Sequence, residues 1–206
     1  LDAVDASAAF LGKTLSFPFM ISSMTGGRGG DLARINRHLA EAAERAGVAM
    51  GVGSQRVMLK EPGAATSFDL RPIAPSIPLL ANLGAAHRKR GLDIDDCRRC
   101  VDVLEADALI FHCNPLQEVV QPGGDTDFSG LAEKIGAVAE QLDVPVIVKG
   151  VGAGVDRADA EALLEAGVTM VDVAGAGGTS WSRIEQRRRD PEDASGLGYL
   201  FQDWGL

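Results

Sequence analysis

A (β/α)8 barrel, present as about six βα units, is the α/β fold class that this sequence predicts, and three observations lead to it. Short apolar runs alternate with longer amphipathic ones along the whole chain. The apolar runs start roughly every thirty residues, the length of one βα unit. Past each run the chain turns small, polar and glycine-rich, which is the character of the strand ends where parallel α/β proteins bind ligands. An unbroken series of such units favours a barrel over a doubly wound sheet, though periodicity alone leaves both open.

The elements follow in order. Phe17–Ser22 reads as the first strand, and Asp31–Ala46 as a helix with Ile35, Leu39, Ala42 and Ala46 on one stripe. Val48–Val52 and Pro78–Leu83 are the second and third strands, and Asp93–Glu105 a helix. In the fourth strand, Ala108–His112, alternation puts Ala108, Ile110 and His112 on one face and Leu109 and Phe111 on the other, with Asn114 and Cys113 continuing the two faces. Pro115 cannot extend a central strand, so the chain leaves the sheet there and sets Gln117 and Glu118 in a loop beyond the strand's carboxyl end. Ser129–Leu142 carries Leu131, Ile135, Val138 and Leu142 on one helical stripe; Val144–Lys149 is the fifth strand. Arg157–Ala166 is a helix with Gly167 as its C-terminal cap, Thr169–Ala174 the sixth strand, and Asp190–Gly198 a surface loop. One domain, 1–206, is expected. A complete barrel takes about 250 residues, and Phe201–Leu206 falls about where a seventh strand should begin, so the C-terminal βα units are expected to be missing.

Composition narrows the function classes. With 20 Lys+Arg against 29 Asp+Glu, a formal charge of −9, nucleic acid and anionic membranes are poor partners, and an anionic ligand needs a local cationic pocket. No apolar run approaches membrane-spanning length. Three cysteines build no disulfide framework, and a reducing cytoplasm is the default location. Cys97 and Cys100 have C-x-x-C spacing, but they lie inside a helical pattern with no second pair, so a packing role is expected. Cys113, facing away from His112, is expected against a helix.

The strand ends carry the chemistry: Ser22–Gly27, Gly51–Arg56, Ala81–Ala85, His112–Glu118, Lys149–Gly152 and Ala174–Trp181. Glycines let a backbone approach a flat cofactor across a barrel mouth, while hydroxyls, amides and one lysine can bond its edge. Lys149 shares a face with Pro145 and Ile147; if that face is interior, its ammonium needs an anionic partner. Two partners are open at this point: Asp172 on the next strand, or the electron-rich edge of a reduced flavin.

Ser22-Ser23-Met24-Thr25-Gly26-Gly27, Gly51-Val52-Gly53-Ser54-Gln55-Arg56, Ala81-Asn82-Leu83-Gly84, Asn114-Pro115-Leu116-Gln117-Glu118 and Asp172 through Trp181 closely resemble type 2 isopentenyl-diphosphate isomerase. The likeness runs from about Phe10 to Trp181 and resumes at Asp203-Trp204-Gly205. It implies a flavin-type (β/α)8 enzyme that interconverts isopentenyl and dimethylallyl diphosphate with FMN and Mg²⁺, with NADPH as flavin reductant, as a homo-oligomer. By the same resemblance Ser23, Met24 and Thr25 would line the flavin, and Ser54, Asn82, Lys149 and Thr179 would bond it. Ser54, Gln55, Arg56 and Gln117 would face the substrate, Glu118 would hold the metal, and Gln117, His112 and Asn114 would form the catalytic set. The chemistry suits these types. An arginine fork fits a phosphate, and Mg²⁺ is commonly held by one carboxylate with phosphate oxygens and waters.

The chain departs from the family pattern at Cys113, where leucine is expected, at Gly150, where glutamate is expected, and at Ala153, which is smaller than usual. The family's basic N-terminal segment would precede Leu1. Two other readings remain. One is another FMN barrel, a hydroxyacid oxidase or an enzyme like inosine-monophosphate dehydrogenase. The latter would want a cysteine where Thr179-Ser180 stands. The other is a truncated, non-catalytic homologue acting as a binding subunit.

Overall fold

The computed structural model describes residues 4–27, 29–86, 93–189 and 195–205. They group into two compact units: Leu1–Leu83 with Ile94–Ile110 and Leu142–Pro145, and Gly84–Asp93 with Phe111–Gln141 and Val146–Leu206.

The first unit opens with a hairpin absent from the expectation, β1 (Ala8–Phe10) and β2 (Lys13–Leu15), paired antiparallel. Strands of three residues give too little alternation to detect. Their turn uses positive φ at Leu11 and Gly12, 50° and 74°, the conformation that two-residue hairpins favour. The expected first strand shrinks to β3, Met20–Ile21. Pro18 has no N–H to give a ladder, and Phe17 and Phe19 stay 39% and 67% exposed, their rings 5.7 Å apart. Helix α1, Gly30–Ala46, forms close to its expected span and ends at Gly47 in the left-handed region, φ 64°. It buries Asn36, Ala40 and Ala43, one position round from the expected stripe, leaving Ile35 42% exposed and Ala42 and Ala46 exposed. There follow β4 (Ala49–Gly51), α2 (Arg56–Lys60), a 3₁₀ turn over Pro62–Ser67, β5 (Leu79–Gly84) and α3 (Ile94–Leu104). β3 pairs with β4 and β4 with β5, both parallel. Met50, Met58, Phe68, Leu79, Leu80, Leu104 and Leu109 are fully buried, each worth about 1.5–3 kcal/mol of apolar burial.

Below this core, Asp107 gathers charge. Lys13 Nζ straddles both carboxylate oxygens, 2.8 Å from Oδ1 and donating to Oδ2 at 2.9 Å, and Oδ2 also takes Arg71 Nη2 and the Leu79 N–H, each at 2.8 Å. Burial works against this charge. The Lys13 bond, the Leu79 N–H and the Arg71 guanidinium outweigh it and hold the carboxyl below its ordinary range.

β6 spans Ala108–His112 as expected. The second unit holds α4 (Pro115–Val120), α5 (Leu131–Ala139), β7 (Val146–Lys149), α6 (Arg157–Glu165), β8 (Met170–Asp172), α7 (Trp181–Arg188) and α8 (Leu197–Leu200). Asp156 caps α6, accepting from Asp159 N at 2.8 Å, and Ser180 caps α7. Gly136 brings α5 against the end of α6, where a Cβ would lie 2.2 Å from the Ala166 carbonyl oxygen. β7 and β8 run parallel with Lys149 opposite Asp172. Residues 190–194 of the expected surface loop lie outside the described residues, and its end belongs to α8.

One six-stranded sheet takes the strands in chain order, β3-β4-β5-β6-β7-β8. Consecutive βα units adding strands in order are what the sequence periodicity predicts. No helix among the described residues is long and apolar enough to cross a membrane.

Candidate active site

In the first unit, the strand ends of β3, β4 and β5 are built by close backbone approach. A Cβ on Gly53 would lie 2.2 Å from the Thr25 carbonyl, and the Gly53 N–H instead donates to that oxygen at 2.9 Å. Gly51 leaves space for Ser23, whose Oγ is buried and has no hydrogen-bond partner. Asn36 on α1, fully buried, donates to the Gly26 carbonyl at 3.1 Å and so fixes the turn after β3. Met24 is 52% exposed at that turn. An orphaned hydroxyl costs free energy unless a ligand answers it. With an exposed thioether and glycine-lined backbone beside it, this turn fits the edge of a flat cofactor such as a flavin.

Past β4, Ser54 is half-buried and Arg56 exposed. Gln55 corrects the expectation. Expected to face the substrate, it has no exposure at all. Its Oε1 accepts from Asn82 N and its Nε2 donates to the Cys100 carbonyl, both at 3.0 Å. The cause is long-range: α3, 45 residues away, covers the strand end and turns the amide inward. Asn82 itself is 2% exposed at the end of β5. Cys97 and Cys100 are buried in α3 as the packing reading expected, and burial pushes the Cys100 thiol well up.

In the second unit the exit of β6 carries a connected polar array. Asn114 Nδ2 donates to Gln117 Oε1 at 3.1 Å and to Glu118 Oε1 at 3.0 Å. Gln117 Nε2 donates to Glu185 Oε1 at 2.7 Å, and Asp125 N donates to Glu118 Oε2 at 2.6 Å. Gln117 and Glu118 sit on α4 and not in a loop. Pro115 occupies its first turn, where a missing N–H costs nothing and φ is preset for helix. Each Glu118 oxygen accepts one bond and keeps a lone pair. That fits a cation whose remaining ligands come from phosphate and water. Among the described residues no group of three or more His, Cys, Asp or Glu could cage a metal.

Glu185 was missed from the sequence. It is 2% exposed on α7, and Arg188 supplies its second donor at 3.2 Å. A signal existed: Ser182, Glu185 and Gln186, spaced i, i+3 and i+4, are α7's buried face, a stripe that is polar where an ordinary helix is apolar. Gln186 Oε1 takes the Gly198 N–H at 2.8 Å, tying α8 to α7. The guanidinium of Arg189 reaches the Val120 carbonyl at the end of α4.

His112 ends β6 half-buried, and a Cβ on Gly84 would lie 3.1 Å from its Nε2. Cys113 is half-buried beyond the end of β6. Burial, then the Asp159 carboxylate, pushes its thiol up to about 11. Lys149 is 6% exposed and donates from Nζ to the Gly150 carbonyl at 3.0 Å. Burial lowers its pKa, and the carboxylate of Asp172 only partly opposes this. Asp172 spends Oδ1 on the Ala174 N–H. Register places the two side by side, but no lysine–carboxylate ion pair forms. Thr179 borders a cleft of about 520 Å³ with Gly177, Gly178, Arg183, Arg187 and Trp204.

The chain is 57% identical over 205 residues to the isopentenyl-diphosphate delta-isomerase of Paracoccus zeaxanthinifaciens, an alignment covering 100% of this chain and 58% of that protein. Against the enzyme of the same name from Synechocystis sp. it is 50% identical over 206 residues, covering 100% of this chain and 59% of the relative. The chain thus spans less than two thirds of the length of the curated relatives it matches. No family model matches it. Among solved structures, a doubly substituted flavocytochrome b2 with sulfite bound superposes with a TM-score of 0.55 at 18% identity, over 82% of this chain and 44% of that one. A 2,3-dimethylmalate lyase of the PEP mutase/isocitrate lyase superfamily gives a TM-score of 0.50 at 15% identity, over 90% of this chain and 67% of that one. These two likenesses are of fold alone.

Proposed function

We propose that this chain belongs to a type 2 isopentenyl-diphosphate delta-isomerase, in which further βα units complete a (β/α)8 barrel. It would interconvert isopentenyl and dimethylallyl diphosphate with reduced FMN and Mg²⁺, NADPH serving as flavin reductant, in a homo-oligomer. The relatives' shared name supports the reaction. The observation that carries the reading is the Asn114–Gln117–Glu118–Glu185 array, four polar side chains oriented by one another at the exit of β6. Burying such groups is costly unless each is satisfied, and a satisfied array holds its atoms still.

In this reading Arg56, exposed at the start of α2, offers a forked donor to a phosphate. Glu118 presents its free lone pairs to Mg²⁺, whose other ligands are diphosphate oxygens and water. Gln117, fixed at both ends of its amide, and His112 line the substrate's path, and Asn114 sets the orientation of Gln117 and Glu118. Lys149 uses one N–H on the Gly150 carbonyl and keeps two donors for the electron-rich edge of the cofactor. Ser23, Met24, Thr25, Ser54, Asn82 and Thr179 are the remaining flavin contacts. The allylic shift adds a proton to an unactivated alkene and removes one from the neighbouring carbon, which no ordinary side-chain acid can begin. The reduced flavin would supply an electron-rich surface for the developing cation and a site for the moving proton.

The test is incubation of the full reading frame containing this chain with isopentenyl diphosphate, Mg²⁺, FMN and dithionite. Formation of dimethylallyl diphosphate is expected. Tight FMN binding with no isomerisation would overturn the reading.

A further inference from the structure

We infer that Gln55 is a positioning residue that clamps the turn carrying Ser54 and Arg56, and is not itself a substrate contact. The activity arm of this inference rests on the function proposed above. Gln55 pairs with Asn82 twice. Its own N–H donates to the Asn82 carbonyl at 2.9 Å, and its side-chain Oε1 accepts from the Asn82 N–H at 3.0 Å. Both backbone groups of Asn82 are therefore answered by one residue, the side chain standing in where β4 has no backbone left to pair with β5. The third bond, Nε2 to the Cys100 carbonyl at 3.0 Å, ties the same amide to α3. The Met58 sulfur sits 3.8 Å from that nitrogen, so both N–H directions are taken.

These partners fix the amide in one orientation. Reversing it would set two donors against the Asn82 N–H and an acceptor against the Cys100 carbonyl. Ser54 and Arg56 flank the clamped residue, so their positions follow from its three bonds. A side chain with zero exposure, its oxygen on the Asn82 N–H and its nitrogen on the Cys100 carbonyl and the Met58 sulfur, cannot reach a ligand without breaking that set.

Gln55→Met keeps the volume and removes the amide; Gln55→Glu keeps the acceptor for Asn82 and loses the donor to Cys100. In the 206-residue chain, hydrogen exchange of the Ser54–Met58 amides is expected to quicken about tenfold or more in Gln55→Met and less in Gln55→Glu, with α1 unchanged. In the full reading frame, KM for isopentenyl diphosphate should rise about tenfold with kcat within about threefold. Gln55→Met added to Arg56→Met should cost little beyond Arg56→Met alone, because the glutamine acts through the arginine. Unchanged exchange, or a full additive loss in the double variant, would overturn the inference. A residue that only stabilises the fold would lower the melting temperature and leave KM alone. If the wild type does not isomerise, the proposed function fails, while the exchange measurement still decides the clamp. If Gln55→Met does not fold, the Gln55→Glu exchange pattern decides it.

Discussion

Replacing Glu185 by glutamine removes one charge from the array at the exit of β6 and almost no volume. Glu185 is 2% exposed and accepts from Gln117 Nε2 at 2.7 Å and from Arg188 at 3.2 Å. The Arg188 side chain is 68% exposed, so that pair contributes little. The bond to Gln117 is the one that matters. A hydrogen bond to a buried charge is worth about 1.5–3 kcal/mol and a neutral one about 0.5–1.5 kcal/mol, so the substitution weakens the hold on Gln117 by roughly 1–1.5 kcal/mol. At about 1.4 kcal/mol per factor of ten, kcat/KM for isopentenyl diphosphate should fall about five- to tenfold. Glu185→Leu, which orphans the Gln117 N–H, should fall further and cost about 1–3 kcal/mol of stability. Steady-state kinetics with FMN kept reduced, beside urea denaturation, separates the two effects. If Glu185→Gln matches wild type in kcat/KM, Gln117 does not act from the orientation seen here. If Glu185→Gln loses stability as Glu185→Leu does, Glu185 serves the fold and not the site.

Three further outcomes are expected. Lys149→Met should lower the FMN midpoint potential by roughly 30 mV or more, about 1.4 kcal/mol on a two-electron couple, because a cation beside the anionic reduced ring is lost; an unchanged potential would remove Lys149 from the flavin. Glu118→Gln should raise the Mg²⁺ concentration needed for half-maximal turnover about tenfold or more while FMN affinity holds, and an unchanged metal curve would place the cation elsewhere. Asp107→Asn should cost about 2–3 kcal/mol near neutral pH, read from urea midpoints, since two cations and one N–H lose their carboxylate. The folded pKa of Asp107 is depressed, so this stabilisation is fully present above the unfolded value of about 3.9 and fades as pH falls through the folded one. A difference between the proteins that persists unchanged into strong acid would refute that cause.

How much of this was legible before folding depends on the range of the forces involved. The spans of α1, β6 and α6 were readable because periodicity is local, and β6 keeps its expected bounds. The face α1 buries was not, since Asn36 is drawn inward by the Gly26 and Ser67 carbonyls. The β1–β2 hairpin was not, since three-residue strands carry no pattern and Lys13 earns its place through Asp107, 94 residues on. The residue types of the site were visible, but not their pairings. Gln55 looked like an outward group until α3 closed over it, and Glu185 joined Gln117 only because α7, 68 residues later, brings a polar stripe to α4. For Lys149 the register with Asp172 was foreseeable, yet burial and a nearer carbonyl decided where the ammonium points.

The measurement that bears most directly on the proposed function is the number of dimethylallyl diphosphate molecules formed per reduced FMN. It would be made anaerobically in the full reading frame with Mg²⁺ and no further reductant. The account predicts many turnovers per flavin, no net oxidation of the flavin, and loss of turnover when air oxidises it. Equal rates with oxidised flavin or with none, or one product per flavin consumed, would contradict it.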